Sequence, residues 1–209
     1  MSQIEAERFR ERFDVSRETL ERLEAYEALL AKWNPAINLV SKSTLADTWS
    51  RHFLDSAQLF DLAPVEAQSW ADLGAGGGFP GLVIAVLSLE KAPEREIVLV
   101  ESDLRKSAFL STVSRELGLK TRVLAKRIEE IEPLGVEILS ARALAPLVQL
   151  LEFAERHLRH DGIALFPKGA RWQEELAQAR ESWSFDCEAN PSLSDPNSVV
   201  LKINGAKRV

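Results

Sequence analysis

Apolar positions recur at helical spacing over the first third of the chain and change to short apolar runs from residue 69 onward. Leu20, Leu23, Leu30 and Trp33 predict a helix that begins after an N-cap at Ser16 and stops at Asn34-Pro35. A short strand signal covers residues 37 to 40. Leu45, Trp49, Phe53, Ser56 and Phe60 predict a second amphipathic helix, begun near Ser43 or Thr44 and ended by Pro64. Strands and helices then alternate. Strands are expected at 69–74, 96–102, 121–125, 136–142 and 162–169. Helices are expected from Pro80, over 104–117, from Pro146 to about Leu158, and from about Arg171 to Arg180. The second strand is apolar on both faces, as in the interior of a parallel sheet. The last two runs, 182–189 and 198–204, flank the turn-rich NPSLSDPN and predict an antiparallel pair. The pattern is that of an α/β fold: a doubly wound, mostly parallel seven-stranded sheet of Rossmann-like type. A helical extension at 1–66 precedes a ligand-binding domain at 67–209.

Composition narrows the class. The 209 residues are 45% hydrophobic and 28% charged, as in a folded globular chain, and no run of 18 apolar residues is available to span a membrane. The opening MSQIEAERFRERFD lacks the apolar core of a signal peptide. One cysteine and three histidines argue against a disulfide framework or a structural zinc site, so a reduced, cytoplasmic, metal-free chain is expected. Cys187 reads as a packing residue. His157 and His160, on a charged helix end, read as solvated. A net charge of −6 opposes indiscriminate nucleic-acid binding but leaves room for a local basic site. Residues 105–127 hold seven basic residues against the single acid Glu116. Within that window Lys120, Arg122, Lys126 and Arg127 flank the third strand and could follow a phosphate backbone, with a solvated surface as the plainer alternative.

The strongest chemical signal is the segment Asp72-Leu-Gly-Ala-Gly-Gly-Gly-Phe-Pro-Gly81, with five glycines in the eight residues from Gly74. Glycines between a strand and a helix let backbone N–H groups approach a ligand, at the end of the sheet where such folds bind one. Glu101 closes the second strand 27 residues after Gly74, placed to accept both hydroxyls of an adenosine ribose. Gly76, Gly78 and Gly81 fit the G-x-G-x-x-G spacing of a nicotinamide site. Asp72 two residues ahead of the loop instead gives acid-x-Gly-x-Gly-x-Gly, the form of S-adenosylmethionine-dependent methyltransferases. The terminal antiparallel pair and the lack of a hydride-transfer constellation favour the latter. A nucleotide-binding regulatory module and a small-molecule methyltransferase are the competing readings.

More specific segments carry a family resemblance. They are Asn38-Leu39 after a Trp33-bearing helix, Arg51-His52-Phe53-Leu54-Asp55-Ser56, the loop GAGGGFPG, and Lys106 with Phe109-Leu110. Further on come Glu116-Leu-Gly-Leu119, Arg127-Ile128-Glu129, Ser140-Ala141-Arg142-Ala143 and Lys168-Gly169. Together they resemble the RsmG (glucose-inhibited division protein B) methyltransferases over nearly the whole length. Glu101 stands where many members have Asp, and Ala141 interrupts what is often a direct Ser-Arg-Ala. The resemblance implies methyl transfer from S-adenosyl-L-methionine to N7 of one guanine of 16S ribosomal RNA (the 527 position of the 530 loop), in RNA or a small-subunit particle; a monomer is expected because no exposed apolar helix demands a partner. It implies that Gly74, Gly76 and Phe79 hold the cofactor through the loop and Glu101 takes the ribose. Ile128 and Glu129 would flank the adenine, and Arg142 would face the methionine end or the RNA. Guanine N7 has a lone pair and no proton, so no general base and no covalent intermediate are expected, only alignment. His52 and Arg142 are positioning candidates. His52 and Asp55, three apart, could equally anchor the extension to the sheet. Arg51 and Lys168 are candidates for phosphate contact.

Overall fold

The computed structural model describes residues 2–209. Helix α1 (Ser2–Phe13) leads to α2 (Arg17–Ile37), whose N-cap is Ser16, its hydroxyl accepting from Thr19 N. Pro35 does not stop α2. Its ring leaves the Ala31 carbonyl without an intrahelical donor, yet the helix runs on to Asn38, which ends it in the left-handed region at φ +47°. The Asn38 N–H returns to Asn34 O, and the buried Asn34 side chain accepts from Val40 N at 2.9 Å. Residues 37–40 are therefore a helix end and turn, not a strand.

The second expected helix is divided. A four-residue α3 (Lys42–Leu45) is followed by a π-helical turn, Trp49–Phe53, and then α4 (Leu54–Leu62). The extra residue in the π turn re-aims Arg51 and His52 relative to an unbroken α-helix.

The remainder alternates as the sequence predicts. In order come β1 (Ser69–Leu73), α5 (Gly81–Lys91), β2 (Glu96–Val100), α6 (Leu104–Glu116), β3 (Thr121–Leu124), a 3₁₀ turn at Ile128–Glu130 and β4 (Val136–Ala141). They are followed by α7 (Leu147–His157), β5 (Leu158–Lys168), α8 (Trp172–Ala179), β6 (Trp183–Pro191) and β7 (Val199–Arg208). The strand order is β3-β2-β1-β4-β5-β7-β6, with β7 antiparallel to both neighbours and the rest parallel.

Helices cover both faces. Leu23, Tyr26, Leu30 and Phe53 of the N-terminal segments join Leu82 and Phe109 on one face; Leu147, Leu150 and Phe153 cover the other. The connection between α4 and β1 is fastened by the buried Arg95, which donates to the carbonyls of Pro64, Val65 and Ala67. The strand order reverses between the parallel neighbours β1 and β4, with β2 and β3 on one side and β5 on the other, and this leaves a crevice at their carboxyl ends, the position where open α/β sheets bind ligands.

Candidate active site

Leu73 pairs with both Val100 and Ala141, so β1, β2 and β4 end level with one another. The next residue of each strand then reaches the same crevice: Gly74, Glu101 and Arg142. Gly78 of the loop has φ +93°, and a Cβ there would strike Leu82 and the Tyr26 hydroxyl. That hydroxyl, from α2, donates to the Gly77 carbonyl. Burial pushes the Tyr26 phenol well above its ordinary range, so it stays protonated and able to donate.

Asp72 lies beneath the loop and is fully buried. Its Oδ2 accepts from Gly81 N at 2.9 Å and its Oδ1 from the Ser140 hydroxyl at 2.8 Å. Burial outweighs both hydrogen bonds and raises its pKa to about 7. Asp72 is a brace under the loop. Glu101 differs: Oε2 accepts from Gly76 N at 2.9 Å and Oε1 from Asp103 N at 2.8 Å, and the carboxylate borders a cavity of about 440 Å³. Each oxygen keeps a second lone pair for a ligand.

Gly74, Gly76, Phe79, Ile128, Glu129 and Arg142 border the same cavity, as do Lys126 and Arg127. Ile128 is supported from behind by His157. That histidine is fully buried, and its Nε2 donates to the Ile128 carbonyl at 3.2 Å. The solvated reading of His157 is corrected: α7 turns it into the core, while His160 is exposed. Phe79 is almost fully buried, stacked with Tyr26 and His52 at centroid distances of 5.3 and 4.8 Å.

A second, more open cavity of about 920 Å³ is bordered by Arg51, His52, Asp55, Lys168 and Arg171. Arg142, Leu39 and Ala143–Ala145 border both cavities, so the β4–α7 loop forms their seam. Arg142 Nη2 donates to His52 Nδ1 at 3.2 Å, and Nη1 to Asp55 Oδ2 at 3.1 Å. With Nδ1 accepting, the His52 proton sits on Nε2 and is shared with Thr44 Oγ1 at 3.0 Å. Burial first, and Arg142 second, lower the His52 pKa to about 4, so the ring is neutral near pH 7.

Lys168 is not a free cation. Its Nζ donates to Glu175 Oε2 at 2.7 Å and to the Ala145 carbonyl at 2.9 Å, with little of the side chain exposed. It pins the seam loop. The basic window also divides: Lys126 and Arg127 follow the carboxyl end of β3, whereas Lys120 precedes β3 and donates to the Pro93 carbonyl. Lys120 and Arg122 border a separate depression with Glu94 and Glu96. Sequence reading missed Arg171, Thr44 and Leu144. Arg171 carried a visible signal as a cation just after the fifth strand; the other two carried none.

A glycine loop after β1, an acid after β2 and a sheet with only its β7 reversed define the Rossmann-like methyltransferase fold. A solved TehB-like SAM-dependent methyltransferase from Corynebacterium glutamicum superposes with a TM-score of 0.57 at 15% identity, covering 87% of this chain and 98% of that one. The family model described as rRNA small subunit methyltransferase G (GidB) matches residues 19–197. The chain is 53% identical over 196 residues to ribosomal RNA small subunit methyltransferase G of Ruegeria sp. strain TM1040, covering 94% of this chain and 95% of the relative. It is 54% identical over 196 residues to the protein of that name from Ruegeria pomeroyi, covering 94% and 96%. The chain belongs to the rRNA small subunit methyltransferase G family and is a methyltransferase, as the R-H-x-L-D-S and G-F-P-G segments had indicated.

Proposed function

We propose that this chain transfers a methyl group from S-adenosyl-L-methionine to N7 of the guanine at position 527 of 16S ribosomal RNA, acting in the cytoplasm as a monomer. Residues 1–66 form the helical extension in this reading and residues 67–209 the cofactor-binding domain. The carrying observation is the pair of cavities that meet at Arg142: one is walled by glycine backbone and a carboxylate, the other is open and bordered by cations.

The smaller cavity fits the cofactor. Glu101 has lone pairs left for two ribose hydroxyls, Ile128 offers an apolar surface to an adenine, and the Glu129 carboxylate can accept from an exocyclic amine. Bound there, S-adenosylmethionine supplies an electrophilic methyl on a sulfonium. The chain's own residues orient and exclude water. Gly74, Gly76 and Phe79 shape the floor, and Arg142 at the seam orients the incoming guanine or its phosphate. Because N7 presents a lone pair, no side chain needs to remove a proton. The neutral His52 serves as a hydrogen-bonding positioner and not as a base. Arg51, with Lys126 and Arg127, contacts RNA phosphates in this reading; Lys120 and Arg122 border a separate depression and are left out of that path.

Two measurements test this reading. S-adenosylhomocysteine should raise the melting temperature while NADH does not, since a ligand stabilises only a protein that binds it. Labelled methyl should pass from S-adenosylmethionine to small-subunit particles from cells lacking this protein. S-adenosylhomocysteine binding without any methyl transfer to RNA or particles would favour a small-molecule substrate.

A further inference from the structure

We infer that Asp55 is a positioning residue for methyl transfer, its carboxylate holding the Arg142 guanidinium at the seam between the two cavities. This rests on the reading in which those cavities take the cofactor and the RNA. Asp55 lies in the first turn of α4, close after the π-helical turn, and its side chain gathers two distant segments. Oδ2 accepts from Arg142 Nη1 at 3.1 Å, at the end of β4. Oδ1 accepts from the Ser194 hydroxyl at 2.8 Å and from Ser192 at 3.3 Å, in the β6–β7 connection, and from Gln58 Nε2 at 3.0 Å.

The Arg142–Asp55 pair is largely withdrawn from water, at 18% and 14% side-chain exposure. Removing one member of such a pair leaves the other charge without a partner, unlike the loss of a surface ion pair. An arginine has five N–H donors. Asp55 and His52 engage one on each terminal nitrogen, and Phe79 lies under the guanidinium at 5.1 Å. The plane is thus fixed while other donors remain for a phosphate or a base edge. The loop at 192–198 does not depend on this carboxylate alone, because Gln58 Oε1 also accepts from Leu193 N at 2.9 Å. The part of Asp55 that nothing else duplicates is its grip on Arg142 from the α4 side.

The test is a double-mutant cycle on methyl transfer to small-subunit particles. Asp55→Asn should lower kcat at least tenfold with KM for the particle changed less than threefold. Arg142→Ala should cost at least as much, and Asp55→Asn added to Arg142→Ala should cost less than a further threefold. A parental kcat for Asp55→Asn, or losses that multiply in the double variant, would overturn the assignment. If Asp55→Asn does not fold, Asp55→Glu gives the same reading, since its loss must also vanish in the Arg142→Ala background. A parent protein with no transfer activity would count against the proposed function instead. The grip is then read directly from ¹⁵N–¹H signals of the Arg142 guanidinium. They should exchange slowly in the parent and fast in the Asp55 variant, and equal exchange in both would overturn the inference.

Discussion

Asp72 and Glu101 are both carboxylates beside the glycine loop, and their surroundings give them different work. Glu101 borders the cavity, so Glu101→Ala should weaken S-adenosylhomocysteine binding by about 1–3 kcal/mol, the loss of a part-buried hydrogen-bonding partner; calorimetry that finds unchanged affinity removes it from the site. Asp72 is sealed below the loop with a pKa of about 7 against an ordinary 3.8. The folded state therefore holds a proton that the unfolded state releases, and this contribution to stability is lost as pH rises from about 4 to 7. Asp72→Asn has nothing to ionise. Relative to the parent it should gain about 1–3 kcal/mol between pH 5 and pH 8 in urea denaturation, and a constant difference would contradict the burial argument. Cys187 is half-buried on β6, where burial raises its thiol, so Cys187→Ser should leave turnover nearly intact in the methyl-transfer assay. Glu101 was legible in the sequence because its position after a strand is fixed by chain order. The bracing role of Asp72 was not, because it depends on Ser140, 68 residues away on another strand. The ion pair of Lys168 was hidden for a similar reason: its partner Glu175 approaches only when α8 folds back.

Helix α2 belongs to the site as much as the loop does, because its Tyr26 fills the space that the missing Cβ of Gly78 leaves. Gly78→Ala must displace that ring or Leu82 and should cost about 2 kcal/mol or more. Gly118, also at positive φ but with nothing within 4 Å, provides the comparison: Gly118→Ala should cost about 1 kcal/mol from backbone strain alone. Equal losses in urea denaturation would contradict the packing of α2 on the loop. The alternating strands and helices after residue 69 were legible because each is a short apolar run or an amphipathic stretch closed by turn residues. The path from residue 37 to residue 53 was not. Asn38 caps by a left-handed turn, and the π turn needs a single extra residue per turn that no hydrophobic period distinguishes from a helix.

The chain carries a net −6 charge, yet Arg51, Lys126, Arg127 and Arg171 all border the joined cavities. Association with particles should therefore weaken as salt rises. Arg51→Ala should reduce the slope of log affinity against log salt by about 1, while Lys120→Ala, altered on the far end of β3, should leave it unchanged. The sequence gathers Lys120, Arg122, Lys126 and Arg127 into one basic window; folding divides it, because β3 runs between Lys120 at its amino end and Lys126 and Arg127 beyond its carboxyl end. The sheet itself and its switch point followed from strand order, and the seam at Arg142 followed from β1 and β4 ending together. In the proposed function this seam presents a guanine N7 to a methyl donor. Small-subunit RNA from cells lacking this protein should be incubated with it and S-adenosylmethionine, as particles, then cleaved with borohydride and aniline at N7-methylguanine. One new cleavage, at position 527 and absent without the protein, is the expected result. Methyl incorporation with no borohydride–aniline cleavage, or cleavage at another guanine, would contradict it.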